Sequence, residues 1–245
     1  MNASTPPLSA RELPVKATRR VVDAPTRMFH WLFALCFAGA YLSADSERLR
    51  LVHVVLGYSL AGLLGFRLLY SLFGPPQARL SALWNRCSSA RQWLLALRDA
   101  VPGVLRGNPR PVNWRQGQNI LMASAILVLL VTVLPLTLTL SGYASYNDWG
   151  GEWLEELHEA AGEFMLMAVG LHLALIAGLS LLRGRNLAQP MLTGRQPGSG
   201  PDLPRHNRGW LAALLLVALL CYWGWEWQQA PAGATTISRS ADHED

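Results

Sequence analysis

The chain has 245 residues, of which 51% are hydrophobic and only 15% are charged. Soluble domains usually carry about a quarter charged residues, so this composition indicates an integral membrane protein and argues against a soluble domain. The net charge of +5 does not indicate a nucleic-acid partner, because the basic residues are concentrated in particular connecting segments. The three cysteines lie far apart and form no CxxC or CxxCH motif, which argues against a disulfide framework and excludes covalently attached c-type haem.

Most of the apolar residues fall into five long stretches that are almost free of charge. A helix needs roughly 20 apolar residues to cross the hydrocarbon core of a membrane. The predicted transmembrane helices are 28–44, 49–73, 118–141, 154–182 and 209–228. The first is short, but Trp31 and Tyr41 near its ends suit the interfacial aromatic belt. The predicted fold class is therefore an all-α membrane helical bundle.

Basic residues are concentrated in the segments that the five helices place on one side of the membrane. Segment 1–27 holds five of them, segment 74–117 seven and segment 183–208 five. The positive-inside rule puts these segments in the cytoplasm. The N-terminus is then cytoplasmic and, after five crossings, the C-terminus lies outside.

The segments outside the helices differ in character. Residues 1–19 are expected to be a flexible cytoplasmic leader and residues 230–245 a disordered tail. The cytoplasmic loop 186–208 is rich in proline and glycine from residue 190 onwards, so that part is expected to be flexible. In the inner loop 74–117, leucines and tryptophans alternate with arginines, which is typical of an amphipathic helix on the membrane surface. An ordinary basic loop explains the same pattern.

Four of the six histidines fall within the predicted membrane helices. Ionisable residues are costly there and usually mark a function. The four are His30, His53, His158 and His172. His158 and His172 are 14 residues apart on one helix, which corresponds to about 40° short of a whole number of turns, so they share a face. They are separated by ~21 Å along the helix axis.

The direction of each helix places these histidines at two depths. His30 begins the first helix and His172 lies towards the end of the fourth, so both are near the inner side. His53 begins the second helix and His158 lies near the start of the fourth, so both are near the outer side. Two histidines at each depth suit the axial ligands of a haem, whereas zinc normally requires four protein or water ligands.

Glycines and arginines near these histidines fit the same interpretation. Gly57 and Gly162 each follow a histidine by four residues and would make room for a porphyrin, although close helix packing explains them equally well. Arg27 and Arg67 lie near the inner level, and guanidinium groups pair well with carboxylates. We expect both arginines to approach the propionates of an inner haem. Contact with lipid headgroups is the alternative.

Three stretches of the chain resemble the bacterial cytochrome b561 family, which includes the cytochrome b subunits of nickel–iron hydrogenases. The stretches are APTRMFHWLFA at the first helix, HVVLGYSLAGLLGFRLLYSLFG at the second and LHEAAGEFMLMAVGLHLALI at the fourth. The resemblance covers roughly residues 20–185.

This resemblance implies a four-helix membrane core that holds two b-type haems, here followed by a fifth transmembrane helix at 209–229. Carried over by position, His30 and His172 would bind the iron of the inner haem, and His53 and His158 that of the outer one. The implied function is electron transfer across the bacterial inner membrane, between a periplasmic partner such as a c-type cytochrome and the quinone pool. Whether the chain is itself an enzyme is left open.

Other functions are compatible with the same residues. Within the family, the chain could anchor a hydrogenase or dehydrogenase, or act alone as a superoxide:quinone oxidoreductase. A larger respiratory complex and a homodimer are both open. A haem-free membrane transporter is the alternative from another class, and Glu163 in the fourth helix would then be the main candidate for carrying protons.

Overall fold

The computed structural model describes residues 17–76, 79–105, 140–147, 149 and 152–229, together with the single residues 116, 120, 124 and 127. The described chain is mostly helical. In chain order the helices are α1 (Ala24–Ser43), α2 (Arg50–Phe73), α3 (Leu80–Ser88), α4 (Ala90–Leu105), α5 (Leu140–Tyr146), α6 (Trp153–Arg183), α7 (Gln189–Thr193) and α8 (Gly209–Gln229). A short 3-10 turn, Glu47–Leu49, precedes α2, and two strands are present, β1 (Thr18–Arg20) and β2 (Arg195–Pro197).

Three of the described helices are long and apolar enough to cross a membrane. They are Glu47–Phe73, Trp153–Arg183 and Gly209–Gln229, which correspond to the second, fourth and fifth predicted spans. The first predicted span forms the 20-residue helix α1, but Arg27 and His30 near its start make it less apolar than the other three. The third predicted span, 118–141, lies almost wholly outside the described residues.

The sequence around residue 24 explains where α1 begins. Asp23 has an extended backbone, and its side chain accepts a hydrogen bond from the Thr26 backbone N–H at 3.3 Å. Pro25 follows in the first turn, where its missing N–H costs nothing. An Asp cap followed by Pro is typical of a helix N-terminus. This start places His30 in the second turn of α1.

The core of the described bundle lies between α1 and α2 and includes one residue from each of α6 and α8. Its buried members are Phe29, Leu32, Cys36, Phe37, Ala40, Leu60, Leu63, Leu64, Met165 and Leu219. At Gly39, an added Cβ would lie 2.7 Å from the end of the Leu56 side chain, so a larger residue there would require Leu56 to move. Close packing of this kind holds helices together where lipid removes the hydrophobic drive.

The last helix, predicted as a fifth span after a four-helix haem-binding core, packs into this core. α8 packs along α1 and buries Ala212 and Leu219. It also contacts α2, because the Trp223 indole N–H donates to the Ser59 hydroxyl at 2.8 Å. The helix is apolar on all sides, so its sequence carries no stripe that would reveal a packing face.

The segment 190–208, for which a flexible loop is expected, has regular structure in its first part. It contains α7 and β2, and β2 pairs antiparallel with β1 so that Gln196 lies opposite Arg19. Gly194 ends α7 at φ 78°, a left-handed conformation that favours glycine. Its carbonyl accepts hydrogen bonds from the Val21 and Val22 N–H groups. We call this unit, residues 17–22 and 189–207, the strand cap.

The strand cap lies against the first turns of α1. The Trp31 indole N–H donates to the Met191 carbonyl at 3.1 Å, and the Ala24 N–H donates to the Asn207 carbonyl at 3.1 Å. The expected leader 1–19 therefore ends inside a strand, and residues 1–16 lie outside the described part of the chain, as do residues 230–245.

The first part of the inner loop 74–117 forms helices α3 and α4. Trp84 and Leu94 on these helices are exposed, which accords with a surface helix whose apolar side chains face lipid. Contact with a membrane stays a prediction for this segment.

Candidate functional site

One pair of histidines lies at the end of the bundle where α2 and α6 begin. His53 is in the first turn of α2 and His158 in the second turn of α6. Their ring centroids are 6.0 Å apart and the two rings are nearly perpendicular, at 80°. A nitrogen of a histidine ligand lies about 2 Å from its metal, so two imidazoles on opposite sides of one metal ion have centroids roughly 6 Å apart. The spacing of this pair therefore fits a shared metal ion.

The orientation of His53 is set by the end of α1. Its Nδ1 lies 2.8 Å from the Ala40 carbonyl oxygen. A carbonyl can only accept, so Nδ1 carries the proton and donates it. The other ring nitrogen, Nε2, then keeps its lone pair. A metal-binding histidine is usually held in this way by a hydrogen bond from its second nitrogen.

The second pair of histidines lies at the opposite end of α1. His30 and His172 are close enough for their imidazoles to interact electrostatically. The Nδ1 atom of each ring is buried and has no hydrogen-bond partner among the described residues. Trp31 packs edge-on against His30, with ring centroids 5.4 Å apart. Among the described residues, this end of the bundle therefore contains two half-buried imidazoles whose Nδ1 atoms have unused hydrogen-bonding capacity.

The glycines near the histidines differ in what surrounds them within the described part of the chain. A Cβ added at Gly57, Gly162 or Gly170 would meet no atom of the described structure within 4 Å. Gly142 of α5 behaves differently, because an added Cβ would lie 2.7 Å from Cε1 of His158. The sequence analysis missed Gly142, since nothing in the sequence places α5 against that histidine.

Arg27 lies between the start of α1 and the strand cap. One of its terminal guanidinium nitrogens donates to the Leu192 carbonyl at 3.2 Å. Its Nε atom is buried and has no hydrogen-bond partner in the part of the chain that the structure describes. Gly194 makes room for the guanidinium, because a Cβ there would come within 3.1 Å of Nε. The charge of Arg27 is thus held one helical turn from His30.

Arg67 is buried near the end of α2, with 8% of its surface exposed. It interacts electrostatically with the buried carboxylate of Asp23. That carboxylate also accepts a hydrogen bond from the Tyr70 hydroxyl. Arg208 donates to the same hydroxyl at 3.3 Å and lies over the Tyr70 ring. Asp23 therefore supplies the partner that a buried arginine requires in a membrane.

The sequence analysis did not include Asp23 or Tyr70 in a site. Asp23 has a visible local signal as a helix cap, but its pairing with residues of α2 depends on how the helices pack. The propionate contacts expected for Arg27 and Arg67 stay predictions.

The histidine pairs suit a metal cofactor such as haem, in which the porphyrin supplies most of the ligands of the metal. Among the described residues, no group of three or more His, Cys, Asp or Glu side chains could hold a metal ion. Each end of the bundle offers two imidazoles instead. A haem needs only two axial ligands from the protein and an apolar slot between helices. Both histidine pairs are chemically suited to such a group.

These features suit one class of protein, helical membrane proteins in which pairs of histidines hold a b-type haem. A family model described as prokaryotic cytochrome b561 matches residues 21–194, which is more than two thirds of the chain. The chain belongs to the prokaryotic cytochrome b561 family, and is a membrane b-type cytochrome of electron transfer. No individual curated protein and no solved structure matches it.

Proposed function

We propose that this cytochrome holds two haem b groups and carries electrons across the bacterial inner membrane, between a periplasmic redox partner such as a c-type cytochrome and the quinone pool. The observation that carries the proposal is the placement of two histidine pairs towards opposite ends of the helical bundle, with one member of each pair on α6. Their members on α6, His158 and His172, are separated by ~21 Å along the helix axis. That spacing suits one haem near each membrane surface.

In this proposal His30 and His172 bind the inner haem, and His53 and His158 bind the outer one. When bound, haem iron takes up and releases one electron at a time, at a potential set by its axial ligands, burial and nearby charge. The hydrogen bond from His53 Nδ1 to Ala40 holds the ring in one tautomer and leaves Nε2 for the metal.

Neighbouring residues have supporting roles. Gly57 and Gly162 lack side chains that would fill the space beside the ligand histidines. Arg27 and Arg67 place positive charge at the His30 end, where haem propionates would need it. The apolar side chains of α1 and α2 keep water away from that region, which strengthens each electrostatic interaction.

The strand cap supports the proposed orientation. Strand β1 belongs to the basic N-terminal segment and β2 to the basic segment 183–208, and the two strands pair with each other. Paired strands must lie on one side of the membrane, as the distribution of basic residues predicts. The positive-inside rule then makes that side cytoplasmic, with the C-terminus in the periplasm.

The opposite side of the protein suits a basic protein partner. Segment 142–155 carries Asp148, Glu152 and Glu155 and has no basic residue. Trp149 and Trp153 in the same segment are exposed, at 61% and 60%. Negative charge around exposed aromatic rings can steer and dock a positively charged cytochrome c. Such steering weakens as salt is added.

Electron transfer in reconstituted vesicles tests this function. The purified cytochrome is inserted in liposomes that enclose oxidised cytochrome c, and a quinol is added outside. We expect reduction of the enclosed cytochrome c, slower at high salt, and its loss in the His53→Leu variant. The variant His206→Leu, which removes an exposed loop histidine, is the matched control and should keep full activity. Equal rates in vesicles with and without the wild-type protein would contradict the proposal.

A further inference from the structure

Unpartnered polar atoms are concentrated at the His30 end of the bundle. Within the described residues, five buried side-chain atoms have no hydrogen-bond partner. They are Thr26 Oγ1, Arg27 Nε, His30 Nδ1, His172 Nδ1 and Asn207 Oδ1. The two histidine atoms belong to the proposed ligand pair. The other three atoms, on Thr26, Arg27 and Asn207, are buried polar groups to which no ligand has yet been assigned.

These three groups surround the start of α1. Thr26 and Arg27 precede His30 by four and three residues, so they lie on the same side of the helix as that histidine. Asn207 comes from the connection that leads into α8. Its backbone carbonyl accepts from the Ala24 N–H at 3.1 Å, which holds the residue against the first turn of α1.

All three side chains can donate a hydrogen bond to an anionic oxygen. Arg27 offers its Nε–H and Thr26 its hydroxyl proton. The unpartnered atom of Asn207 is its amide oxygen, which can only accept. A 180° flip of the side chain exchanges that oxygen with the amide nitrogen, which then donates into the same space. A buried guanidinium N–H with no acceptor is costly, whereas a charged acceptor makes a short and strong hydrogen bond to it.

We propose that Thr26 and Asn207, together with Arg27, bind a carboxylate of the haem held by His30 and His172. This inference rests on the proposed function and extends it to the connection before α8. Asn207 lies beyond residues 21–194, which the family model matches. The connection before α8 would then contribute to the cofactor site, whereas α8 itself contributes to the packing of the bundle.

The phosphate of a lipid headgroup offers the same anionic oxygen chemistry. The two sources differ in what they change. A haem carboxylate near its own iron alters the reduction potential of that haem, whereas a lipid phosphate alters the phospholipid that stays bound to the purified protein.

Redox potentiometry of the haem-loaded, full-length protein tests the proposal, with a separate midpoint potential for each haem. We expect Thr26→Val and Asn207→Leu each to lower the potential of the haem at the His30 end and to leave the other unchanged. The reason is that a carboxylate with fewer donors keeps more negative charge and stabilises the oxidised iron. A shift of about 59 mV would correspond to a tenfold change in a one-electron equilibrium.

Two further variants separate a lost hydrogen bond from a damaged fold. Thr26→Ser keeps the hydroxyl and should retain the wild-type potential. Thr193→Val removes a hydroxyl of the strand cap that donates to the Gln189 carbonyl instead, so it should leave both potentials unchanged.

Unchanged potentials in Thr26→Val and Asn207→Leu, with both haems retained, would overturn this inference and leave the two-haem function intact. The same holds if only bound phospholipid is lost, or if Thr26→Ser shifts the potential as much as Thr26→Val. Absence of haem from the wild-type protein would instead defeat the proposed function itself.

Discussion

At the scale of single residues, the two histidine pairs differ in what holds their rings. His53 donates from Nδ1 to the Ala40 carbonyl, whereas the Nδ1 atoms of His30 and His172 have no partner in the described structure. A hydrogen bond at the second nitrogen orients a ligand and raises its basicity. The two ends of the bundle should therefore provide ligand fields of different strength.

Replacing one histidine should remove one haem and spare the other. In His53→Ala, the haem at that end loses an axial ligand, while His30 and His172 at the other end are untouched. We expect the reduced-minus-oxidised spectrum of the purified variant to lose about half of its b-type absorption, since one of two bis-histidine sites remains. His206→Ala is the control and should keep all of it. Loss of both haems, or of neither, would contradict the proposed pairing.

Gly142 should matter to the same haem without binding it. A Cβ at this position would lie 2.7 Å from Cε1 and 2.8 Å from Nδ1 of His158, so Gly142→Ala forces the ring to move. We expect a shifted midpoint potential or partial loss of one haem, and a cost of about 1–3 kcal/mol for overpacking. Gly178→Ala adds the same methyl group where nothing lies within 4 Å. Equal behaviour of the two variants would refute this role.

Some of the site could be predicted from sequence at this scale, because it depends only on helix direction and period. His158 and His172 share a face by periodicity, and depth alone associates each with one other histidine. Their role as ligands stays a prediction. The contact of Arg67 with Asp23 was not predictable, because those residues meet only through the packing of α1 against α2, which no local pattern encodes.

At the scale of elements, α8 is part of the described core. Leu219 is buried against α1 and α2, and the Trp223–Ser59 hydrogen bond adds a directional contact. The predicted span agrees with α8 in position, but its neighbours could not be predicted, because a helix that is apolar all round can pack on any side.

Truncating the buried leucine of α8 should destabilise the bundle. Leu219→Ala leaves a cavity among α1, α2 and α8, and Leu→Ala changes in packed cores cost about 2–5 kcal/mol. The neighbouring Leu220 is 51% exposed, so Leu220→Ala is the matched control and should cost much less. Thermal unfolding of both variants in the same detergent measures the difference. Equal unfolding temperatures would show that α8 does not pack as described.

The structure of the strand cap could not be predicted from its local sequence. Its prolines and glycines favour a loop by composition, and the segment is indeed short of regular structure. Strand β2 pairs with β1, and the paired residues Arg20 and Arg195 are 175 positions apart in the sequence. Trp31 and Arg27 of α1 add hydrogen bonds to α7. Contacts between such distant parts of the chain leave no mark on the local sequence.

At the scale of the whole molecule, we expect the protein to have one fixed orientation in the inner membrane. The positive-inside rule places the strand cap in the cytoplasm. A reporter phosphatase that is active only in the periplasm should therefore be active when fused after Asp245. It should be inactive when fused after Arg195, in a chain that ends at the strand cap. Activity at both positions, or at Arg195 alone, would contradict this orientation.

The central claim is that four histidines hold two b-type haems in one membrane protein. Haem content per polypeptide, combined with a redox titration followed at the b-type absorption band, tests it most directly. We expect two haems per chain and a redox titration that needs two one-electron components. The His53→Ala variant should lose one of these components. A single haem per chain, or a protein without reduced b-type bands, would contradict it.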